Sequence, residues 1–225
     1  GEAANDYSGW SVSMNSAGDR VAIGAYFNDG SASNAGHVRI YEYSNSSWTQ
    51  LGSDIDGEAA VDRSGTSVSM NSAGDRVAIG AIFNDGTGSN AGHVRIYEYS
   101  NSSWTQLGSD IDGEAASDFS GTSVSMNSAG DRVAIGATDN DGTASDAGHV
   151  RIYEYSNSSW TQLGSDIDGE AANDYSGNSV SMNSAGDRVA IGAPWNDGTG
   201  SNAGHVRIYE YSNSSWTQLG SDIDG

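Results

Sequence analysis

Apolar and polar residues alternate along short segments separated by glycine- and asparagine-rich breaks, and the pattern returns every 56 residues. In the first copy Trp10-Ser11-Val12-Ser13-Met14 has the period-two alternation of a half-buried strand. Asn15-Ser16-Ala17-Gly18-Asp19 supplies a turn. Arg20–Ala25 predicts a second strand with Val21 and Ile23 on one side, closing a tight antiparallel hairpin. Residues 26–36 form a longer polar loop. His37–Tyr43, dense in β-branched and aromatic residues, predicts a third strand; Ser44–Ser47 turns the chain and Trp48–Leu51 runs back as a fourth. Residues 52–65 lead into the next copy. No segment shows a helical period.

The segment Gly18–Ala25 recurs unchanged at Gly74–Ala81, Gly130–Ala137 and Gly186–Ala193, so the units run approximately 1–56, 57–112, 113–168 and 169–224, with Gly225 opening a fifth copy. A single repeat domain is expected. Four short antiparallel strands per unit predict an all-β fold, a β-propeller of four-stranded blades with the first strand at the axis and the fourth at the rim. Solenoids end in atypical units with polar outer faces, and these end units are typical. The expectation is therefore a closed four-bladed ring, or part of a larger or oligomeric assembly. Starting and stopping in one phase reads as a mature piece or an excised block of a longer array.

The formal charge is −21, from 30 acids against 9 basic residues, all arginine. Such a field repels nucleic acid and anionic membrane surfaces, so neither is an expected partner. Hydrophobic content of 36%, with six Trp and eleven Tyr, supports a folded chain rather than a disordered acidic one. There is no cysteine, hence no disulfide or thiolate site, and no apolar run long enough to insert in a membrane.

Ser8-Gly9-Trp10-Ser11-Val12, Ile191-Gly192-Ala193-Pro194 and Gly36-His37-Val38-Arg39-Ile40-Tyr41 occur in order at fixed phase. These elements resemble the FG-GAP repeat, the blade unit of integrin α-subunit propellers and of many extracellular proteins. The resemblance covers all four units; it implies a β-propeller and an extracellular or cell-surface location. The family's calcium loop between the first two strands is replaced here by Asn15–Asp19 with one carboxylate, too few oxygens for calcium, so that site is not carried over.

The copies differ at Asn5, Val61, Ser117 and Asn173; at Tyr7, Arg63, Phe119 and Tyr175; at Trp10, Thr66, Thr122 and Asn178; and in the loop after the second strand, at Tyr26-Phe27, Ile82-Phe83, Thr138-Asp139 and Pro194-Trp195. In a meander these positions share one face of the disc. Trp10, Tyr26, Phe27, Phe83, Asp139 and Trp195 are accordingly the candidate ligand-binding residues, with aromatic rings suited to stacking on a glycan or a protein partner. The opposite face is constant and carries the sequons at Asn45, Asn101, Asn157 and Asn213, candidate glycosylation sites at hairpin tips.

Asp139, Asp141 and Asp146 read as half a calcium loop; otherwise no cofactor is expected. Asp54, Asp56, Glu58 and Asp62 offer oxygen ligands at a spacing that suits a hard cation, but are expected instead to cap turns between blades and solvate an acidic surface. His37, His93, His149 and His205 open the third strands too far apart to share a metal, so each is expected to make a structural hydrogen bond. Arg20 and Arg39 suit ion pairs. No nucleophile–base motif is present, and near-identical copies supply the same groups four times rather than converging different ones, so the sequence reads as non-enzymatic. The expected function is an extracellular adhesion or recognition module binding carbohydrate or protein through the variable face. The alternative is a structural block of a fibre, sheath or coat that self-associates into an oligomer or filament.

Overall fold

A computed structural model describes all 225 residues as four successive sheets without a helix. The first blade comprises β1 (Ser11–Met14), β2 (Arg20–Ala25), β3 (His37–Ser44), β4 (Ser47–Gln50) and β5 (Ile55–Asp56). The second holds β6 (Ser64–Met70), β7 (Arg76–Ala81), β8 (His93–Ser100), β9 (Ser103–Gln106) and β10 (Ile111–Asp112). The third holds β11 (Ser120–Met126), β12 (Arg132–Ala137), β13 (His149–Ser156), β14 (Ser159–Gln162) and β15 (Ile167–Asp168). The fourth holds β16 (Ser179–Met182), β17 (Arg188–Ala193), β18 (His205–Ser212), β19 (Ser215–Gln218) and β20 (Ile223–Asp224).

The predicted four-stranded antiparallel meander is found in every unit. The outer edge departs from the expected single fourth strand in being broken. In the first blade β4 pairs with the Tyr41–Ser44 half of β3, and the two-residue β5 pairs with His37 and Val38. Gly52, at a φ of +78°, lies in the break between them, in a conformation that glycine adopts without a Cβ penalty.

Each blade has two apolar faces, because alternate residues of a strand point to opposite sides. The front face of the first blade presents Ala22, Val38, Ile40 and Ile55; it packs against Val68, Met70, Val77 and Ile79 on the rear face of the second. The same contact is made between the second and third blades and between the third and fourth. Inner strands β1, β6, β11 and β16 succeed one another along the axis, where Met14, Met70, Met126 and Met182 line a cavity of about 100 Å³.

Backbone bridges Gly36–Ser64, Gly92–Ser120 and Gly148–Ser176 stitch neighbouring blades. No bridge or core cluster joins the fourth blade to the first, so the four blades form an open arc and not a closed four-bladed ring. The two end faces are left uncovered. Val12 and Met14 of the first blade are 64% and 54% exposed, whereas Val68 and Met70 are 9% and 7%. Ile223 is 55% exposed where Ile55, Ile111 and Ile167 are each 4%.

Candidate functional site

The variable loops meet, as their sequence phase predicts, but they meet across the joints between blades. Phe27, after β2, lies under the guanidinium of Arg63 from the next unit at 4.7 Å, and Arg63 also covers Phe83 at 4.1 Å. Phe83 in turn meets Phe119 of the third unit edge-on at 5.4 Å. At the next joint the carboxylate of Asp139 lies close enough to raise the pKa of the Tyr175 hydroxyl, after burial and Asp146. At the first two joints a variable residue after a second strand therefore meets a variable residue at the start of the following blade. Trp195, 47% exposed, and Tyr7, 55% exposed, are the two ends of this series without a partner from another blade. Within its own blade Trp195 packs on Tyr175 at 4.5 Å and Tyr7 on Phe27 at 5.4 Å. Trp10 stacks on Tyr26 at 4.6 Å and is 58% exposed.

The backbone under these residues is strained. Asn5, Tyr7, Val61, Arg63, Ser117, Phe119, Asn173 and Tyr175 all have φ between 52° and 74°. A β-branched valine at 74° is a position that only surrounding structure can hold. The buried carboxylates Asp6, Asp62, Asp118 and Asp174 provide that hold. Asp62 accepts from the Ala59 N–H at 2.9 Å and the Asn84 amide at 3.2 Å, and the other three repeat the pattern. Asp62 is thus a turn cap, as the sequence suggested.

Asp139, Asp141 and Asp146 do not converge as calcium ligands. Asp141 accepts from the Asp146 N–H at 2.9 Å, the loop closure that Asp29, Asp85 and Asp197 make in the other blades. Asp139 accepts from the Thr138 hydroxyl at 2.7 Å, and burial raises its pKa. Asp141 and Asp139 are therefore held by local hydrogen bonding.

Asn45, Asn101, Asn157 and Asn213 are exposed at the two-residue tips of the outer hairpins, each at a φ near 50°. Mass spectrometry of chain made in a glycosylating secretory host is expected to find glycans at these four asparagines; bare asparagines would refute it.

The arginine pairs are present: Arg20 bonds Glu42 through Nε at 2.9 Å and Nη2 at 2.7 Å. The histidines depart from expectation. His93 and His149 are wholly buried, yet neither ring nitrogen of either has a hydrogen-bond partner. Their Nδ1 atoms face two carboxylates each, in groups repeated as Glu2–His37–Asp54, Glu58–His93–Asp110, Glu114–His149–Asp166 and Glu170–His205–Asp222. Each group gathers its members from three separate segments of the unit, so residue order alone does not bring them together. With burial first and Arg95 second, the pKa of His93 is pushed down to about 4.

The FG-GAP repeat family matches the chain over residues 1–41 and 166–209. No curated protein sequence matches. Among solved structures, a putative 6-phosphogluconolactonase from Bacteroides uniformis is similar with a TM-score of 0.64 at 8% identity, over 95% of this chain and 54% of that one. The hydrazine synthase of Kuenenia stuttgartiensis is similar with a TM-score of 0.61 at 8% identity, over 96% and 49%. The periplasmic gluconolactonase of Pseudomonas aeruginosa has a TM-score of 0.60 at 11% identity, over 96% and 57%. The chain thus spans about half the length of the structures it matches. The likeness is one of fold. It overturns the exclusion of enzymes read from the sequence: chains with this arrangement of blades include proteins named as lactonases. Repetition of a scaffold does not fix the chemistry of its loops.

Proposed function

We propose that this chain, whose blades are FG-GAP repeats, is a half-ring that joins head to tail with a second copy of itself, fourth blade against first, to complete a propeller. One observation carries the reading: the uncovered rear face of the first blade and front face of the fourth are copies of the two faces that pack together at all three internal joints. The polar fastenings of those joints have unused counterparts at the ends. Ser11 Oγ bonds the Gly65 carbonyl at 2.7 Å, Met70 N–H donates to Ser13 Oγ at 2.9 Å, and Trp104 Nε1 bonds the Leu51 carbonyl at 2.8 Å. Ser179, Ser181 and the Leu219 carbonyl of the fourth blade correspond to the first-blade sides of these bonds; Gly9, Met14 and Trp48 of the next copy would take the other sides. Trp195 would then meet Tyr7 as Phe27 meets Arg63.

Two four-bladed arcs give eight blades, within the range of about 4–8 that propellers use. Covering Val12 and Met14 would contribute about 1.5–3 kcal/mol for each side chain. Analytical ultracentrifugation is expected to find a species of twice 23.2 kDa, reduced to monomer by Met14→Asp. A wild-type chain that stays monomeric at every concentration overturns the joint, and an open polymer overturns the ring.

A second reading is favoured by Trp10, which is exposed beside Tyr26. It makes the outer loop face an extracellular adhesion surface for glycan or protein. Binding on a glycan array that survives Trp10→Ala would oppose it.

A further inference from the structure

The buried histidines cannot be explained by packing alone. An unpaired polar group in a buried site costs about 1–3 kcal/mol, and the same unpaired imidazole is repeated here from blade to blade. His93 Nδ1 is 3.9 Å from Glu58 Oε2 and 3.9 Å from Asp110 Oδ2. His149 Nδ1 is 3.9 Å from Glu114 Oε2 and 4.0 Å from Asp166 Oδ2, and His205 Nδ1 is 3.7 Å and 3.9 Å from Glu170 and Asp222. The three ligand atoms of each group lie within 4.8 Å of one another.

We propose that Glu58–His93–Asp110, Glu114–His149–Asp166 and Glu170–His205–Asp222 each bind a first-row divalent transition-metal ion of the zinc class through one imidazole nitrogen and two carboxylate oxygens. The second oxygen of each carboxylate is held from behind. Asp110 Oδ1 accepts from the Gln106 amide at 2.5 Å, and Glu58 Oε1 faces Arg95 Nη1 at 3.5 Å. This leaves Oε2 and Oδ2 turned to the same point as Nδ1, the outer-sphere support that orients metal ligands. Zinc bonds of about 2.0–2.2 Å place tetrahedral ligand atoms roughly 3.3–3.5 Å apart, so a small contraction closes each site. Glu58 is 44% exposed, which leaves the fourth position open to solvent. Calcium requires about six to eight oxygens, and a mixed nitrogen–oxygen triad selects the transition metals instead. The chain's charge of −21 draws cations to its surface.

The first blade differs for a physical reason. Arg95, Arg151 and Arg207 are moored by Nη2 to the Asp56, Asp112 and Asp168 carbonyls of the preceding blade, at 2.6–2.8 Å. Arg39 has no preceding blade; it turns onto Glu2 and onto both oxygens of Asp54, occupying the Oδ2 that a metal would use.

Isothermal titration of the chelator-stripped Met14→Asp chain, in which Arg39 has no preceding blade, with zinc chloride is expected to give three equivalents per monomer. His93→Gln should lower this to two, and the triple change at His93, His149 and His205 should abolish uptake while circular dichroism stays unchanged. Should His93→Gln fail to fold, Glu58→Gln at a half-exposed position decides, with the same loss of one equivalent expected. Cobalt in place of zinc should give visible absorption bands that vanish in the triple variant. Absence of saturable uptake, or uptake unaltered by these substitutions, overturns the proposal. A fourth equivalent at Glu2–His37–Asp54 is expected only when Arg39 is moored across the head-to-tail joint. This last expectation rests on that joint, and its failure bears on the joint alone.

Discussion

Gly136→Ala is expected to unfasten the third blade from the fourth, whereas the same change at Gly192 leaves the chain folded and blocks its self-association. A Cβ on Gly136 would sit 2.0 Å from the carbonyl oxygen of Gly177 in the next blade, a backbone atom that cannot move aside alone. Ser123 Oγ bonds the same carbonyl at 2.7 Å, and the apolar cluster containing Ala134, Val150 and Ile191 lies behind it. Separating the backbones therefore costs packing and a hydrogen bond together, about 3 kcal/mol or more. Gly192 occupies the equivalent place in β17 with no blade beyond it. Its added Cβ meets only Ser179 Oγ at 2.5 Å, which a change of rotamer relieves for about 1 kcal/mol or less. In a head-to-tail pair, however, that Cβ would strike the Gly9 carbonyl of the next copy. Urea melts should separate the two variants by their stability. Sedimentation should give folded, monomeric Gly192→Ala; a Gly192→Ala chain that still pairs would show that the fourth front face is not the joint.

The reason this asymmetry was not legible in the sequence is that Gly136 and Gly192 sit in identical eight-residue segments. Only the presence or absence of a neighbour distinguishes them. The strand pattern itself was readable, because Val12–Met14 and Val21–Ile23 alternate cleanly and turn residues punctuate them. The variable loops were readable as one face, since they share a phase. Their pairing across joints was not: Phe27 and Arg63 lie 36 positions apart, and their meeting depends on how far one blade is rotated onto the next. The Glu58–His93–Asp110 group was hidden in the same way. Its acids lie in the interblade connections and its histidine in the third strand, and the break in the outer edge between β9 and β10 brings Asp110 to the imidazole.

Asp118→Ala should loosen the joint between the second and third blades without touching either apolar face. Asp118 is 3% exposed and accepts from the Ala115 N–H at 2.9 Å and the Asn140 amide at 3.1 Å. Its neighbours Ser117 and Phe119 are held at φ of 69° and 52°. Removing the carboxylate deletes two charge-assisted hydrogen bonds and leaves the Asn140 amide buried without this acceptor. It also frees two strained residues to relax away from the geometry in which Phe119 meets Phe83. At about 1.5–3 kcal/mol for each bond to a charged group, partly offset by the strain released, the net loss is about 3 kcal/mol. Asp118→Asn keeps an acceptor oxygen and should lose roughly half as much. The equivalent Asp6 adds a pH signature. The Ala3 N–H, helped by Asn28 and Glu2 N–H, outweighs burial and holds its carboxyl below the ordinary 3.8. A depressed folded pKa means that the contribution is whole above about pH 3.8 and is lost as the pH falls through the lower folded value. Hydrogen exchange at residues 115–122 should rise in Asp118→Ala at neutral pH while β13 keeps its protection. Unchanged exchange there would mean that the strained loop is held by the apolar joint, and not by the buried carboxylate.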